Sequence, residues 1–253
     1  MSIIDTNVHL FRWPFRRLSL DATEDLAARL RQHGITEAWA GSYEALLHRD
    51  LTALNHRLVK ECGKDKILKP VGAINLDLPD WESDLERCHE DYGMHAIRIY
   101  PNFHRYELTD ARFAKLLGEC AERGIVIQIA VMMEEERTQH PLVRVEHVNT
   151  APLPDLLNKH PKARIVLQNC FRAVRGGLLL ALAATEQVWF DTSTLEGTEG
   201  ISRMWKQLPK DRLLFGSAAP LYIPESSLLK LRESALSSRQ LQSIQAEAAK
   251  ALR

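Results

Sequence analysis

The sequence predicts an α/β protein folded as a (β/α)8 TIM barrel. Three observations predict it. Eight short β-rich runs alternate with segments that carry apolar residues at helical spacing. The length, 253 residues, suits one such barrel. Within the strands, polar residues alternate with aliphatic ones, as they do where one face lines a lumen and the other packs under helices.

The strands read in order as "SIIDTNV" at 2–8, "TEAWAGS" at 36–42, "LKPVGAINL" at 68–76 and "MHAIRIY" at 94–100. "IVIQIAV" at 125–131, "ARIVLQN" at 163–169, "QVWFDTS" at 187–193 and "RLLFGSA" at 212–218 complete the set. Between them, "TEDLAARLRQHG" offers Thr23 as a helix cap and Gly34 as a stop. A second helix is expected from Thr109 to Gly124, and "PLPDLLNKHP" closes before Pro161. Pro224 suits the first turn of "PESSLLKLRESAL", and "SSRQLQSIQAEAAKALR" reads as a terminal helix packed on the barrel. No linker or composition shift marks a second domain, so residues 1–253 are expected to form one.

Lys+Arg and Asp+Glu balance at 33 each. A chain of zero net charge is a poor candidate for nucleic-acid binding, which needs a broad basic face. No basic leader precedes an apolar stretch, and the longest apolar patch, "GGLLLALAA" at 176–184, is too short to span a membrane. Cys62, Cys88, Cys120 and Cys170 are scattered, which fits reduced thiols and a cytoplasmic location.

The polar lumen positions carry the functional expectation. Asp5, Asn7 and His9 share one face of the first strand. Arg98 and Tyr100 alternate with Ile97 and Ile99, Gln128 with Ile127 and Ile129, and Asp191 with Phe190. Barrel chemistry sits at the C-terminal strand ends, where these residues cluster. The loop "MMEEERTQHP" at 132–141 follows such an end and adds Glu134, Arg137 and His140.

Several fragments together resemble the amidohydrolase superfamily, in its branch of decarboxylases and lactonases related to aminocarboxymuconate-semialdehyde decarboxylase. "IDTNVH" resembles that family's I-D-x-H-x-H first strand, and "PKDRLLFGSAAP" its R-x-L-F-G-S-D-x-P eighth strand. "GMHAIRIYPNFHRYELTDARFAKLLGECAERGIVIQIA", "LPDLLNKHPKARIVLQNC" and "VWFDTSTLEG" resemble the segments between. The resemblance implies a divalent metal such as zinc, held by histidines on strands 1, 5 and 6 and an aspartate after strand 8. Those places hold Asn7, His9, Ala130, Asn169 and Ala218. One histidine with two amides and two alanines falls short of the three ligands that a catalytic divalent ion usually takes.

The expectation is therefore a barrel without a metal site or cofactor. It would act as a hydrolase or lyase on a small, carboxylated molecule. His9, Glu134 and Asp191 are the candidate catalytic groups. Asn7, Arg98, Tyr100, Arg137, His140 and Asn169 are the candidate substrate-binding groups, with the guanidinium groups clamping a carboxylate. Two alternatives stay open. One is an inactive relative that binds a small ligand or a partner protein at the mouth. The other is a metal hydrolase with atypical ligands, such as His9, Glu134 and His140. The expected partner is a small anionic ligand, not nucleic acid or membrane, and the resemblance adds a homodimer.

Overall fold

The computed structural model describes residues 2–253. The first strands are β1 (Ile3–Leu10), β2 (Ile35–Ser42) and β3, which runs in two pieces, Leu68–Pro70 and Gly72–Ala73. β4 (Ala96–Ile99), β5 (Val126–Ala130), β6 (Arg164–Gln168), β7 (Val188–Asp191) and β8 (Leu213–Leu214) follow. Every strand pairing is parallel. The ring closes where the Thr6 N–H donates to the Phe215 carbonyl and the His9 N–H to the Ala219 carbonyl, both at 2.9 Å. The two pieces of β3 bridge their neighbours through Val71 N–H to Ala40 O, 2.9 Å, and Ile74 N–H to Arg98 O, 3.2 Å. The eight-strand barrel expected from the alternation is the fold observed, although several strands are shorter than the apolar runs that mark them.

Helices α1 (Thr23–Gln32), α2 (Leu51–Cys62), α3 (Trp81–Glu90) and α4 (Ala111–Arg123) cover the first half. α5 (Leu153–Lys159), α6 (Gly176–Ala184), α7 (Gly200–Gln207) and α8 (Pro224–Glu233) cover the second. Thr23 does not cap α1: the cap position falls on Ala22, which has no side-chain oxygen to offer. Asp110, and not Thr109, caps α4 by accepting from the Arg112 N–H at 2.8 Å, while Gly124 ends it in the left-handed region at φ 68°. Pro224 opens α8 as expected.

The strand alternation sorts the core into two layers. Ile97, Ile99, Ile127, Ile129, Ile165, Leu167 and Phe190 pack outward under the helices. Ile4, Val71, Ala96, Val126, Val166 and Leu214 fill the N-terminal end of the lumen. The terminal helical segment, Ser238–Lys250 with a π turn over Ser243–Glu247, closes that end. It presses Ala246, Ala248 and Ala249, with Leu252, against the lumen residues, and the Ile244 carbonyl accepts from the Phe215 N–H at 2.9 Å. No described helix is long and apolar enough to cross a membrane. All four cysteines are free and buried, and burial raises the Cys170 thiol well above its ordinary range, so it packs as an inert side chain.

Candidate functional site

β1 is irregular. Its register against β2 shifts between Asp5 and Val8, which takes Thr6 and Asn7 out of the regular ladder. The Thr6 carbonyl instead accepts from the side-chain amides of Gln128 and Gln168, each at 3.0 Å, and from Arg98 Nη2 at 3.5 Å. Asp5, Asn7 and His9 sit in the lumen, and each is at most 1% exposed.

Arg98 lies at the centre, fully buried. Its Nε donates to Gln128 Oε1 at 2.9 Å. Nη1 donates to the Val8 carbonyl at 3.1 Å and to His9 Nε2 at 2.8 Å. Nη2 reaches the Thr6 and Trp39 carbonyls at 3.5 and 3.4 Å. A guanidinium has five N–H donors, and here each has an acceptor within the protein. Gly41 makes room for this arrangement, because a Cβ there would lie 2.7 Å from Arg98 Nη1. The ion pair with Asp5 or Asp191 that an inward arginine invites is replaced by neutral acceptors.

His9 follows from Arg98. Since Nε2 accepts from the guanidinium, the ring proton sits on Nδ1. Burial, and then the Arg98 charge, hold its pKa well below the usual histidine range. The neutral ring stacks on Tyr43 with centroids 4.5 Å apart. Tyr100 closes over the same end and is also buried.

A second network spans β1, β6 and β7. Asn7 Nδ2 donates to Asn169 Oδ1 at 2.8 Å and to Asp191 Oδ2 at 2.5 Å. Asp191 Oδ1 accepts from the Asn169 N–H and the Ser193 hydroxyl, both at 2.9 Å. Gly216 faces this group closely: a Cβ there would come within 2.6 Å of Asp191 Oδ2. Burial raises Asp191 despite these donors. Asp5 accepts from the Asn7 and Ser217 N–H groups at 3.1 and 3.0 Å, and burial pushes its carboxyl up to about 7. Lys230 from α8 stands behind, donating to the Thr192 and Ser193 carbonyls at 3.1 and 2.6 Å.

The mouth is filled. Trp13, Tyr43, Tyr100, Ala130 and Met133 form a buried cluster, flanked by Phe15 and Phe103. The cavity left among Trp13, Phe15, Phe103, Met133 and Glu134 is about 20 Å³, room for about one water.

The structure brings Asn7, His9, Arg98, Tyr100, Asn169 and Asp191 together as the sequence reading expected. It does not bring the side chains of Glu134, Arg137 and His140 to them. Glu134 is buried, but it pairs with Arg16 from the segment after β1. Arg137 is 82% exposed and pairs with Glu135. His140 is exposed and accepts from the Leu142 N–H at 3.2 Å. This loop is tied down instead by Arg172, which pairs with both Glu135 and Glu196. Gln168, Tyr43 and Trp13 were not singled out from the sequence. The run "RWPFRR" straight after the first strand end was the available signal for the cover.

The amidohydrolase family model matches residues 4–251. No curated protein matches the chain. Among solved structures, it is similar to a 2,6-dihydroxybenzoate decarboxylase complexed with 2,6-dihydroxybenzoate. The TM-score is 0.75 at 14% identity, over 99% of this chain and 97% of that one. It is similar to a dihydroxybenzoic acid decarboxylase from Polaromonas sp. JS666, which holds manganese and the inhibitor 2-nitroresorcinol. There the TM-score is 0.76 at 13% identity, covering 99% and 96%. A 5-carboxyvanillate decarboxylase from Novosphingobium aromaticivorans, also with manganese, gives 0.74 at 12% identity, covering 98% and 95%.

These structures correct one expectation. The reading of no cofactor is overturned by the manganese held in two of them, which makes a divalent metal a property of the family. The side chains of this chain do not fit such an ion as they are arranged. His9 Nε2 faces a guanidinium, Asn7 and Asn169 offer neutral amides already bonded to neighbours, and Ala130 and Ala218 offer no donor. Among the described residues, no group of three or more His, Cys, Asp or Glu side chains could hold a metal. The departures sit within a match of nearly full length and a closed eight-stranded barrel, and the chain belongs to the amidohydrolase family.

Proposed function

We propose that this chain is a ligand-binding member of its family that recognises a small carboxylated molecule, and that its barrel centre serves as a structural core and not as a site of turnover. One observation carries the reading: all five donors of Arg98 are engaged by the protein's own atoms. A guanidinium so occupied has none left for a substrate carboxylate. The aromatic cover over His9 and the outward placement of Arg137 support the same reading. The family's similar structures are decarboxylases with carboxylated or phenolic ligands, which points to a small anion as the molecule recognised.

A second reading, turnover after the cover opens, has one observation in its favour. Asp5 lies buried near Asp191, and burial pushes its carboxyl up to about 7, a placement that suits general acid–base work. One experiment separates the two. The protein is incubated with hydroxylated benzoates and lactones, with and without added manganese, and products are followed by chromatography while binding is followed by calorimetry. The proposal expects binding without product. Product formation that disappears in Asp191→Asn, with the fold intact by circular dichroism, overturns it.

A further inference from the structure

Beside the filled mouth, the C-terminal face of the barrel carries an open groove of about 690 Å³. It runs between the loop after β4 and the later part of the loop after β5. Its volume lies in the range of small-molecule sites. Arg105 and Arg144 both line it. Among the described residues, neither guanidinium makes an ion pair or a hydrogen bond, whereas most other arginines on this face, Arg16, Arg137 and Arg172, are paired. Arg105 is held in the left-handed region at φ 59°, which is unfavourable for a side chain of this size.

Tyr106 supplies an independent observation. It lines the groove, is 5% exposed, and its hydroxyl has no partner. Burial holds the phenol protonated, so it is a donor awaiting an acceptor. The acidic residues of the wall do not fill this role: Asp110 is bound by Arg112, and the Glu107 carboxylate accepts from the Thr109 hydroxyl at 3.2 Å. Glu146 lines the wall as well; its main-chain carbonyl accepts from Asn102, and its carboxylate, unpaired among the described residues, is a negative group of the wall that a bound anion must avoid.

We propose that this groove binds the carboxylated ligand, with Arg105 and Arg144 taking the carboxylate and the Tyr106 hydroxyl donating to a second oxygen of the molecule. This rests on the ligand-binding reading above and places recognition at the rim, outside the lumen. The barrel would then keep a carboxylate-recognising face while its centre is given over to packing.

The test uses 2,6-dihydroxybenzoate as probe and resorcinol, the same ring without the carboxylate, as control, measured by calorimetry on the full chain. The expected result is binding of the probe, at least tenfold weaker binding of resorcinol, and at least tenfold weakening of the probe by Arg144→Ala. Tyr106→Phe removes only the hydroxyl and should weaken the probe several-fold at unchanged melting temperature. Arg105→Gly relieves the left-handed backbone, so it should weaken binding while the melting temperature holds or rises, a combination that a purely structural arginine would not give. Arg57→Ala, on the exposed side of α2 and outside the groove lining, should leave binding unchanged. Probe binding that is indifferent to Arg144→Ala and Tyr106→Phe, equal binding of resorcinol, or no binding of either compound overturns the groove. Conversion of the probe to resorcinol overturns the non-catalytic reading and leaves the groove to be judged by the Arg144 and Tyr106 variants alone.

Discussion

Asp5→Asn should flatten the pH dependence of stability. In the fold, the Asp5 carboxyl is buried and its pKa is raised from 3.8 to about 7. The native state therefore holds a proton that the unfolded chain releases through this range. The favourable contribution is fully present below 3.8, declines as pH rises, and is gone above about 7. A gap of about 3 pH units at ~1.4 kcal/mol each amounts to about 4 kcal/mol lost between roughly pH 4 and 8. Asparagine keeps an oxygen for the Asn7 and Ser217 N–H donors and places its amide where Asp5 Oδ2 has no partner. It cannot ionise. Urea denaturation of both proteins between pH 4 and 8 measures the difference, since all other titrating groups are common to the pair. The variant should gain steadily on the parent as pH rises. Parallel curves would refute the argument and mean that Asp5 is ionised or solvated in the fold.

Gly41→Ala should cost roughly 1–3 kcal/mol, read by the same denaturation, because its Cβ would lie 2.7 Å from an Arg98 nitrogen that cannot move without losing its acceptors. An unchanged midpoint would mean that Arg98 is mobile. Nitrogen NMR of the His9 ring should show the neutral Nδ1–H form still dominant near pH 6, below the ordinary histidine midpoint of about 6.5, because burial and Arg98 disfavour its charging. Half-protonation there would contradict the network. Arg172→Ala should cost no more than about 1 kcal/mol of stability, as expected for partly exposed pairs. It should nonetheless speed proteolysis and amide exchange over 134–147, since it releases the ties to Glu135 and Glu196. Unchanged protection would show that the loop is held by its apolar side chains alone.

Strand alternation placed Arg98, Gln128 and Asp191 in the lumen and Ile97, Ile99 and Ile127 beneath the helices, because a period of two is a property of the backbone and needs no partner. The 132–141 loop could not be read the same way. Its side chains had no period to obey, and Glu134, Arg137 and His140 were assigned by chemical type alone. Arg137 and His140 found partners within the loop, Glu135 and the Leu142 N–H, while Glu134, at the rim of the filled mouth, paired with Arg16 from the segment after β1. The metal expectation failed for a different reason. It weighed this chain's ligands in isolation, while two of the similar structures carry manganese on the same fold.

The sequence by itself determined the barrel, the family, and the identity of most side chains pointing into the lumen, since periodicity and ordered motifs are local properties. Tertiary structure decided what those side chains do. Whether Arg98 is a free clamp or a satisfied core cation depends on five acceptors drawn from β1, β2 and β5, and on the space left by Gly41. Whether the mouth is open depends on Trp13, Phe103 and Met133 meeting across three loops. Those contacts join residues far apart in the chain. Their energies come from burial and hydrogen-bond completion, quantities that exist only once the barrel has closed.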